Sequence, residues 1–436
     1  MPGMLPVINK YCIEQALKSG IGLKAEINKY SVFDRKNYFY ADLPQGYQIS
    51  QYKYPIVGKG TVSIDLKNGT SKDIRIVRLH LEQDAGKSLH DQNPLKTYVD
   101  LNRSGVALME IVSEPDLRST EEVGLYISKI RSILMYLDTC DGNMQEGSLR
   151  ADVNISIRKP GEEYGTRCEI KNLNSIKFIK QAINYEAKRQ IDLVENGGTI
   201  EQNTLLFNPQ TGKTKPMRSK EEAHDYRYFP DPDLLPLEIT DDEINFIKKQ
   251  IPELPDERKK RYISNYGLSS YDASILTADR TISDYFDAVI NSNKQLKGSA
   301  KIISNWISTE LFSLLNKDNL VISNSPVSSE NLGQLVKLVI TNVISGKIAK
   351  EVLVEMYSSQ KSAIDIVEQK GLKQMTDTSE IEKIIQSVLD ENKEMVSQYK
   401  SGKTKLLGFF VGQVMKKTKG KANPKLLNDL LIKMIN

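Results

Sequence analysis

Residues 62–83 read VSIDLKNGTSKDIRIVRLHLEQ. Two runs rich in aliphatic and β-branched residues, VSIDL and IRIVRLHLEQ, flank a polar KNGTSKD segment. An Asn-Gly pair between such runs is a hairpin signal, because the turn needs residues that tolerate positive φ. The stretch therefore predicts an antiparallel strand pair. It also puts His80, Glu82 and Asp84 at the end of the second strand. Working outward, VALMEIV (106–112) predicts a further strand, mostly apolar but interrupted by Glu110. In SLRADVNISIR (148–158), Leu149, Ala151, Val153, Ile155 and Ile157 alternate with Arg150, Asp152, Asn154, Ser156 and Arg158. That period of two predicts a strand with one polar face, and TRCEIKNLN (166–174) is expected as its neighbour. A helix is expected over 175–195, with Ile176, Ile179, Ile183 and Ala187 along its apolar side and Gly197-Gly198 stopping it.

From residue 240 onward the texture changes to helical periodicity, as in DEINFIKKQI and SAKIISNWISTELFSLL. IPELPDERKK (251–260) reads as a Pro-marked junction. A chain of 436 residues is too long for one core. The expected class is α+β: a sheet-rich part over 1–250, a helical domain over 251–365 and a helical tail over 366–436. No apolar run approaches the roughly 18 residues of a membrane helix, and the start, MPGMLPVINKYC, lacks the features of a signal peptide. Cys12, Cys140 and Cys168 show no CxxC spacing, which fits a reducing, cytoplasmic setting and argues against a disulfide framework or a zinc site. The histidines are His80, His90 and His224 alone, so a metal would sit mainly among carboxylates, whose oxygens suit magnesium.

Charge is unevenly placed. Residues 400–436 carry nine lysines and one aspartate, on a chain whose net charge is only +4. A basic tail on a net acidic body points to a polyanion partner, nucleic acid above all. Phosphate loops of the Walker type are excluded: the residues five before the three GK[ST] glycines are Leu81, Phe207 and Ser397. QTGKT (210–214) reads instead as a turn. No GxSxG elbow and no Gly/Ser-rich amidase signature occurs, so the chain offers no obvious nucleophile of its own.

What remains is a polar constellation on predicted strands: Glu82, Asp84, Glu110, Arg150, Asp152, Asn154, Glu169, Lys171 and Asn172. A carboxylate inside an apolar strand is costly unless it is paired or holds a cation, which singles out Glu110. Asp152 could equally pair with Arg150 or Arg158 on a wet face. His80 reads as a hydrogen-bonded core histidine. Carboxylates with magnesium and a lysine suggest phosphoryl transfer. Lys36 is the candidate lysine. It lies in DRKNYFYADLPQGYQISQYKYP (34–55), where Tyr38, Phe39, Tyr40, Tyr47, Tyr52 and Tyr54 crowd around Asp34, Arg35 and Lys36. Such rings could stack a nucleotide base or simply fill a core.

DRKNYFY, YQISQ, RLHLEQDAGKS, VDLNRSGVALMEIVSEPD, EGSLRADVNIS, EIKNLNS and DYRYFPDPDLLPL, in this order, closely resemble the B-subunit family of the glutamyl-tRNA(Gln)/aspartyl-tRNA(Asn) amidotransferases. LLGFFVGQVMKKTKGKANPKLLNDLL resembles that family's YqeY-like tail. The resemblance implies a catalytic cradle, a helical domain and the tail. It implies a cytoplasmic ligase subunit that uses ATP and magnesium to phosphorylate the side-chain carboxylate of tRNA-bound Glu or Asp. An amidase A subunit would supply ammonia, and a small C subunit would complete a heterotrimer. Residue by residue, the resemblance implies that Lys36 faces the ATP phosphates and that Asp152 assists at the same centre. Glu82 and Glu110 would be magnesium ligands. Arg35, Tyr38, Tyr40, Arg150, Asn154, Lys171 and Asn172 would line the nucleotide and substrate site. In the tail, Lys416, Lys417, Lys419 and Lys421 would meet tRNA backbone. Gly408 and Gly412 are expected to permit close helix packing. The chain departs from the family in carrying Gln83 where many members have Glu. The resemblance also implies a preceding strand with a GLEVH-like motif that supplies metal ligands: either Met1 is an internal Met wrongly taken as the start, or a catalytically impaired tRNA-binding scaffold is the alternative expectation.

Overall fold

The computed structural model describes residues 6–89, 93, 95–219, 226–373, 378–418 and 421–435. The chain divides into two compact units, Met1–Leu254 and Pro255–Asn436. The first mixes small sheets with helices and the second is helical, an α+β architecture.

The predicted hairpin is present. Gly60–Asp65 pairs antiparallel with the long strand Ser71–Gln83, hereafter the central strand. Between them Gly69 takes φ +84°, and the Asn68 side chain accepts from the Thr70 N–H at 3.0 Å. On its other side the central strand pairs with the edge strand Ala107–Ser113. Ile74 and Ile76 face the core at even positions, and Leu79 and Leu81 at odd ones. The switch has a cause. The register of the second pairing shifts between Ile76 and Arg78, so that Val77 bulges out of the ladder. A bulge adds one residue to a strand and re-aims every side chain beyond it. Arg78, His80 and Glu82, which strict alternation from Ile76 would drive into the core, are thereby turned to the other face.

The core behind this sheet is built from Leu17 on the helix Lys10–Gly22, from Ile130, Ile133 and Leu134 on the helix Thr120–Tyr136, and from Ile244 and Ile247 on the helix Asp241–Gln250. Gly20 and Gly22 allow the first helix to seat closely: a Cβ at Gly20 would fall 2.7 Å from Val57 and one at Gly22 2.6 Å from Leu137.

A second sheet runs in the order Lys213–Ser219, Asn203–Asn208, Cys168–Lys171, Val153–Ile155. The strand expected over 148–158 is thus confined to three residues paired with Cys168–Ile170. The helix Ile176–Glu195 packs on this sheet, but its buried positions are Ile179, Ala182, Glu186 and Gln190. The expected Ile176/Ile183/Ala187 stripe is only partly buried, because the helix turns a polar group, Glu186, into the sheet and satisfies it there. The Glu186 carboxylate accepts from Arg189, Gln190 and Thr214. QTGKT is the expected turn, with Gly212 at φ +67°.

Among its described residues the helical unit holds two hydrophobic clusters. One surrounds Phe286, Ile303, Ile307, Leu335 and Val352; a π-helical turn, Trp306–Leu311, lies in it. The other joins Ile381, Ile385, Phe410, Val414, Leu427 and Leu431. Within the latter, a Cβ at Gly408 or Gly412 would meet nothing within 4 Å. The two glycines lie on the open side of their helix and do not serve close packing. No helix among the described residues is long and apolar enough to cross a membrane.

Candidate active site

The redirected face of the central strand carries the site. His80 lies directly opposite Glu110 in the ladder, and Glu82 follows two residues on. His80 Nε2 is 3.6 Å from Glu82 Oε2 and 3.7 Å from Glu110 Oε2. One potential ligand atom from each of the three residues lies within 4.8 Å of the others. The burial of the two carboxylates is the reverse of what the sequence suggests. The Glu82 side chain is 7% exposed and that of Glu110 49% exposed, because Glu110 sits on an edge strand with one open side.

Burial pushes the Glu82 carboxyl up, but His80, Lys36 and a hydrogen bond from Ser50 outweigh it and hold the group below its ordinary value. Glu82 is therefore ionised across the neutral range. His80, expected as a core histidine, is buried, but it stands between the two carboxylates. The signal in the sequence is its spacing of two from Glu82 on one strand. Arg78 Nε donates to His80 Nδ1 at 3.3 Å. A guanidinium can only donate, so the neutral imidazole keeps its hydrogen on Nε2, facing the carboxylates. A divalent cation fits the oxygens of Glu82 and Glu110, since magnesium takes one or two carboxylates and fills its remaining positions with water and phosphate. His80 as oriented presents an N–H there, not a lone pair, between the two carboxylates.

Lys36 belongs to this cluster. Its strand, Asp34–Asn37, pairs with Tyr47–Ser50, and the 47–51 segment is tied to the central strand. Gln48 donates to Gln83 O at 2.8 Å, and Gln51 accepts from the Leu81 N–H at 3.0 Å. Lys36 Nζ lies 4.9 Å from the ring centre of Tyr226 and 5.8 Å from that of Tyr38. Tyr38 donates to Gln48 at 3.1 Å, and its phenol is pushed up to about 12 by burial, with Glu82 adding to the effect. Tyr228 is raised by burial first and then by Glu82, Tyr226 and Glu110. Tyr226 and Tyr228 lie in the DYRYFPDPDLLPL block, but nothing in the sequence places them beside Lys36. Their segment is held by Asn37, whose backbone and side-chain N–H groups both donate to Tyr226 O, and by pairing of Phe229 and Pro230 with Arg35 and Asp34.

The crowded rings thus divide their work. Tyr38 meets Tyr40 and Tyr226 edge to face, and Tyr38 and Tyr226 flank Lys36. Tyr52 stacks on Tyr228 at 4.5 Å. Tyr47 covers Arg35, whose guanidinium carbon is 4.2 Å from the ring centre.

Several expected site residues are engaged by partners of their own. Arg35 is engaged by Asp231 at 3.0 Å and Asp233 at 2.8 Å. Asp152 pairs with Lys171 at 3.3 Å on the second sheet, and Lys171 also meets Glu169 at 3.4 Å. Burial lowers the Lys171 ammonium, but these two carboxylates outweigh it and hold its pKa above the ordinary value. Asn154 is exposed opposite Glu169 in that sheet. Asn172 sits at φ +67° and donates to Phe207 O at 3.0 Å, a turn position. Arg150 reaches Asp84. In the tail, Lys417 pairs with Glu391. Lys416 and Lys421 are described, and Lys419 lies outside the described residues.

Similarity to known proteins extends along nearly the whole chain. Residues 1–245 match the model of the GatB/GatE catalytic domain and residues 284–435 that of the GatB domain. The B subunit of the aspartyl/glutamyl-tRNA(Asn/Gln) amidotransferase of Pelagibacter ubique is 60% identical over 100% of this chain and 88% of its own length. Its namesake from Granulibacter bethesdensis is 55% identical over 100% of this chain and 89% of its own length. The chain belongs to the GatB/GatE family.

Proposed function

We propose that the chain is the B subunit of a tRNA-dependent amidotransferase. It would use ATP to activate the side-chain carboxylate of Glu or Asp misacylated onto tRNA(Gln) or tRNA(Asn). The observation that carries the reading is the cluster of Glu82, Glu110 and His80 on the central strand and its neighbour, with Lys36 within electrostatic reach of Glu82. The names of the relatives support it.

The chemistry follows from the substrate. A carboxylate is a poor acyl donor until one oxygen becomes a leaving group. A substrate carboxylate oxygen attacks the γ-phosphorus of ATP, and the bond to ADP breaks. Ammonia then attacks the acyl carbon and inorganic phosphate leaves with that oxygen, giving the amide. Lys36 would meet the phosphate oxygens and offset their charge. Glu82 and Glu110 would hold magnesium, which when bound neutralises charge on the polyphosphate. Tyr38, Tyr226 and Tyr228 would wall the pocket and exclude water. No nucleophile for releasing ammonia is evident in this sequence, which fits a partner A subunit, with a small C subunit completing the complex. The basic tail would position tRNA through its backbone.

The test is Gln-tRNA formation from Glu-tRNA(Gln) with ATP, magnesium and glutamine, the chain being assembled with A and C partners. ATP consumption coupled to amidation is expected. Binding of tRNA without ATP consumption would overturn the reading in favour of a scaffold subunit.

A further inference from the structure

Two arginines converge on one buried carboxylate beside the site. Arg103 Nη2 lies 2.9 Å from Asp84 Oδ2. Arg150 Nη2 lies 3.2 Å from Asp84 Oδ1 and 3.3 Å from Oδ2. Asp84 is buried, whereas the arginine side chains are 48% and 54% exposed. We propose that Arg103 and Arg150, held by Asp84, form an anion clamp for the polyphosphate of the nucleotide. The identity of that anion rests on the phosphoryl-transfer reading above.

Placement supports the clamp. Asp84 continues the period of two that carries His80 and Glu82, one step of about 7 Å beyond Glu82. Its backbone is fixed: its N–H donates to Val106 O at 2.7 Å, and the Gly105 N–H donates to its carbonyl at 2.9 Å. Arg103 lies in the turn that this pairing closes, with Val106 N–H donating to Arg103 O at 3.1 Å and Gly105 at φ +81°. On its other side Arg103 abuts Gly147, where a Cβ would come 3.1 Å from Nη1. Two anchored guanidiniums are thus brought together before any ligand arrives.

The charge balance gives the clamp its direction. One carboxylate neutralises one guanidinium. The second leaves a positive charge beside its twin, and an incoming anion relieves that repulsion. Each guanidinium spends part of its fork on Asp84 and keeps other N–H groups for a phosphate oxygen, the geometry in which arginine exceeds lysine. Glu82 and Glu110 would face the polyphosphate through a cation, and the arginines would meet it directly.

The test is calorimetric titration of inorganic tripolyphosphate into the full chain, as wild type, Arg103→Gln and Arg103→Lys, with thermal unfolding as the control for folding. Wild type is expected to bind. Arg103→Gln should bind at least tenfold more weakly with an unchanged unfolding midpoint, and Arg103→Lys should recover only part of the loss. No binding by wild type, or equal binding by wild type and Arg103→Gln, overturns the clamp. The two readings separate in the assembled complex. If tripolyphosphate binding depends on Arg103 while amidation proceeds without ATP consumption, the clamp stands and phosphoryl transfer falls.

Discussion

The guanidinium of Arg35 lies 3.0 Å from the carboxylate of Asp231, whose side chain is wholly buried. A second carboxylate, Asp233, takes the other end of the same fork at 2.8 Å. Removing Arg35 leaves Asp231 charged, buried and unpaired, which typically costs about 3–5 kcal/mol. Arg35→Ala should therefore lower the unfolding free energy by an amount in that range, read as a fall in the urea midpoint. A midpoint within experimental scatter of wild type would free Arg35 for a ligand-binding duty.

Lys36 is the next residue, yet its surroundings differ entirely: Tyr226, Tyr38 and the charge of Glu82. Lys36→Ala should leave the unfolding midpoint almost unmoved. In the assembled complex it should cut amidated tRNA by about 10²–10³-fold, the usual effect of deleting one charge-stabilising group. Ammonia release by the A subunit should persist. Undiminished amidation would remove Lys36 from the phosphate role.

Glu186 offers a pH test away from the site. Burial raises its carboxyl, but Arg189, Gln190 and Thr214 outweigh burial and hold it below its ordinary value. A carboxyl whose folded pKa is depressed adds stability that is complete above its unfolded value of about 4.3. That stability is lost as pH falls through the folded value. Glu186→Gln should be less stable than wild type at pH 7, and the gap should narrow on acidification below about pH 4.3. A gap independent of pH would mean that Glu186 acts by shape and not by charge.

In the tail, neutralising Lys416, Lys417, Lys419 and Lys421 together should weaken tRNA binding and flatten its salt dependence, by about one unit of slope per lost phosphate contact. Lys417 should contribute least, because Glu391 already engages it. Filter-binding titrations across salt concentrations decide the matter. An unchanged slope would return these lysines to a solvated surface.

Much of this is readable from residue order. The hairpin, the edge strand and the helical second half follow from periodicity and an Asn-Gly turn. Lys36 and Glu110 stand out by residue type and setting, whereas Glu82 is one of a larger polar set that the resemblance alone singles out. What escapes is long-range placement. Tyr226 and Tyr228 join Lys36 through strand pairing across nearly two hundred residues, which no local pattern announces. The shortness of the strand at 153–155 also escapes, since alternation does not reveal where a pairing partner ends. Asp152, which the sequence would pair with Arg150 or Arg158, meets Lys171 instead.

Val77 carries a consequence for how this family can drift in sequence. Side chains along the central strand can be exchanged one at a time, but residues cannot be added or lost freely. Losing Val77 alone would remove the bulge and keep both faces, but one residue deleted between Leu79 and Glu82 would turn Glu82 into the apolar interior. The same deletion among residues 67–70 would leave both faces where they are. Strand length is thus a functional quantity here, on a par with the carboxylates it aims.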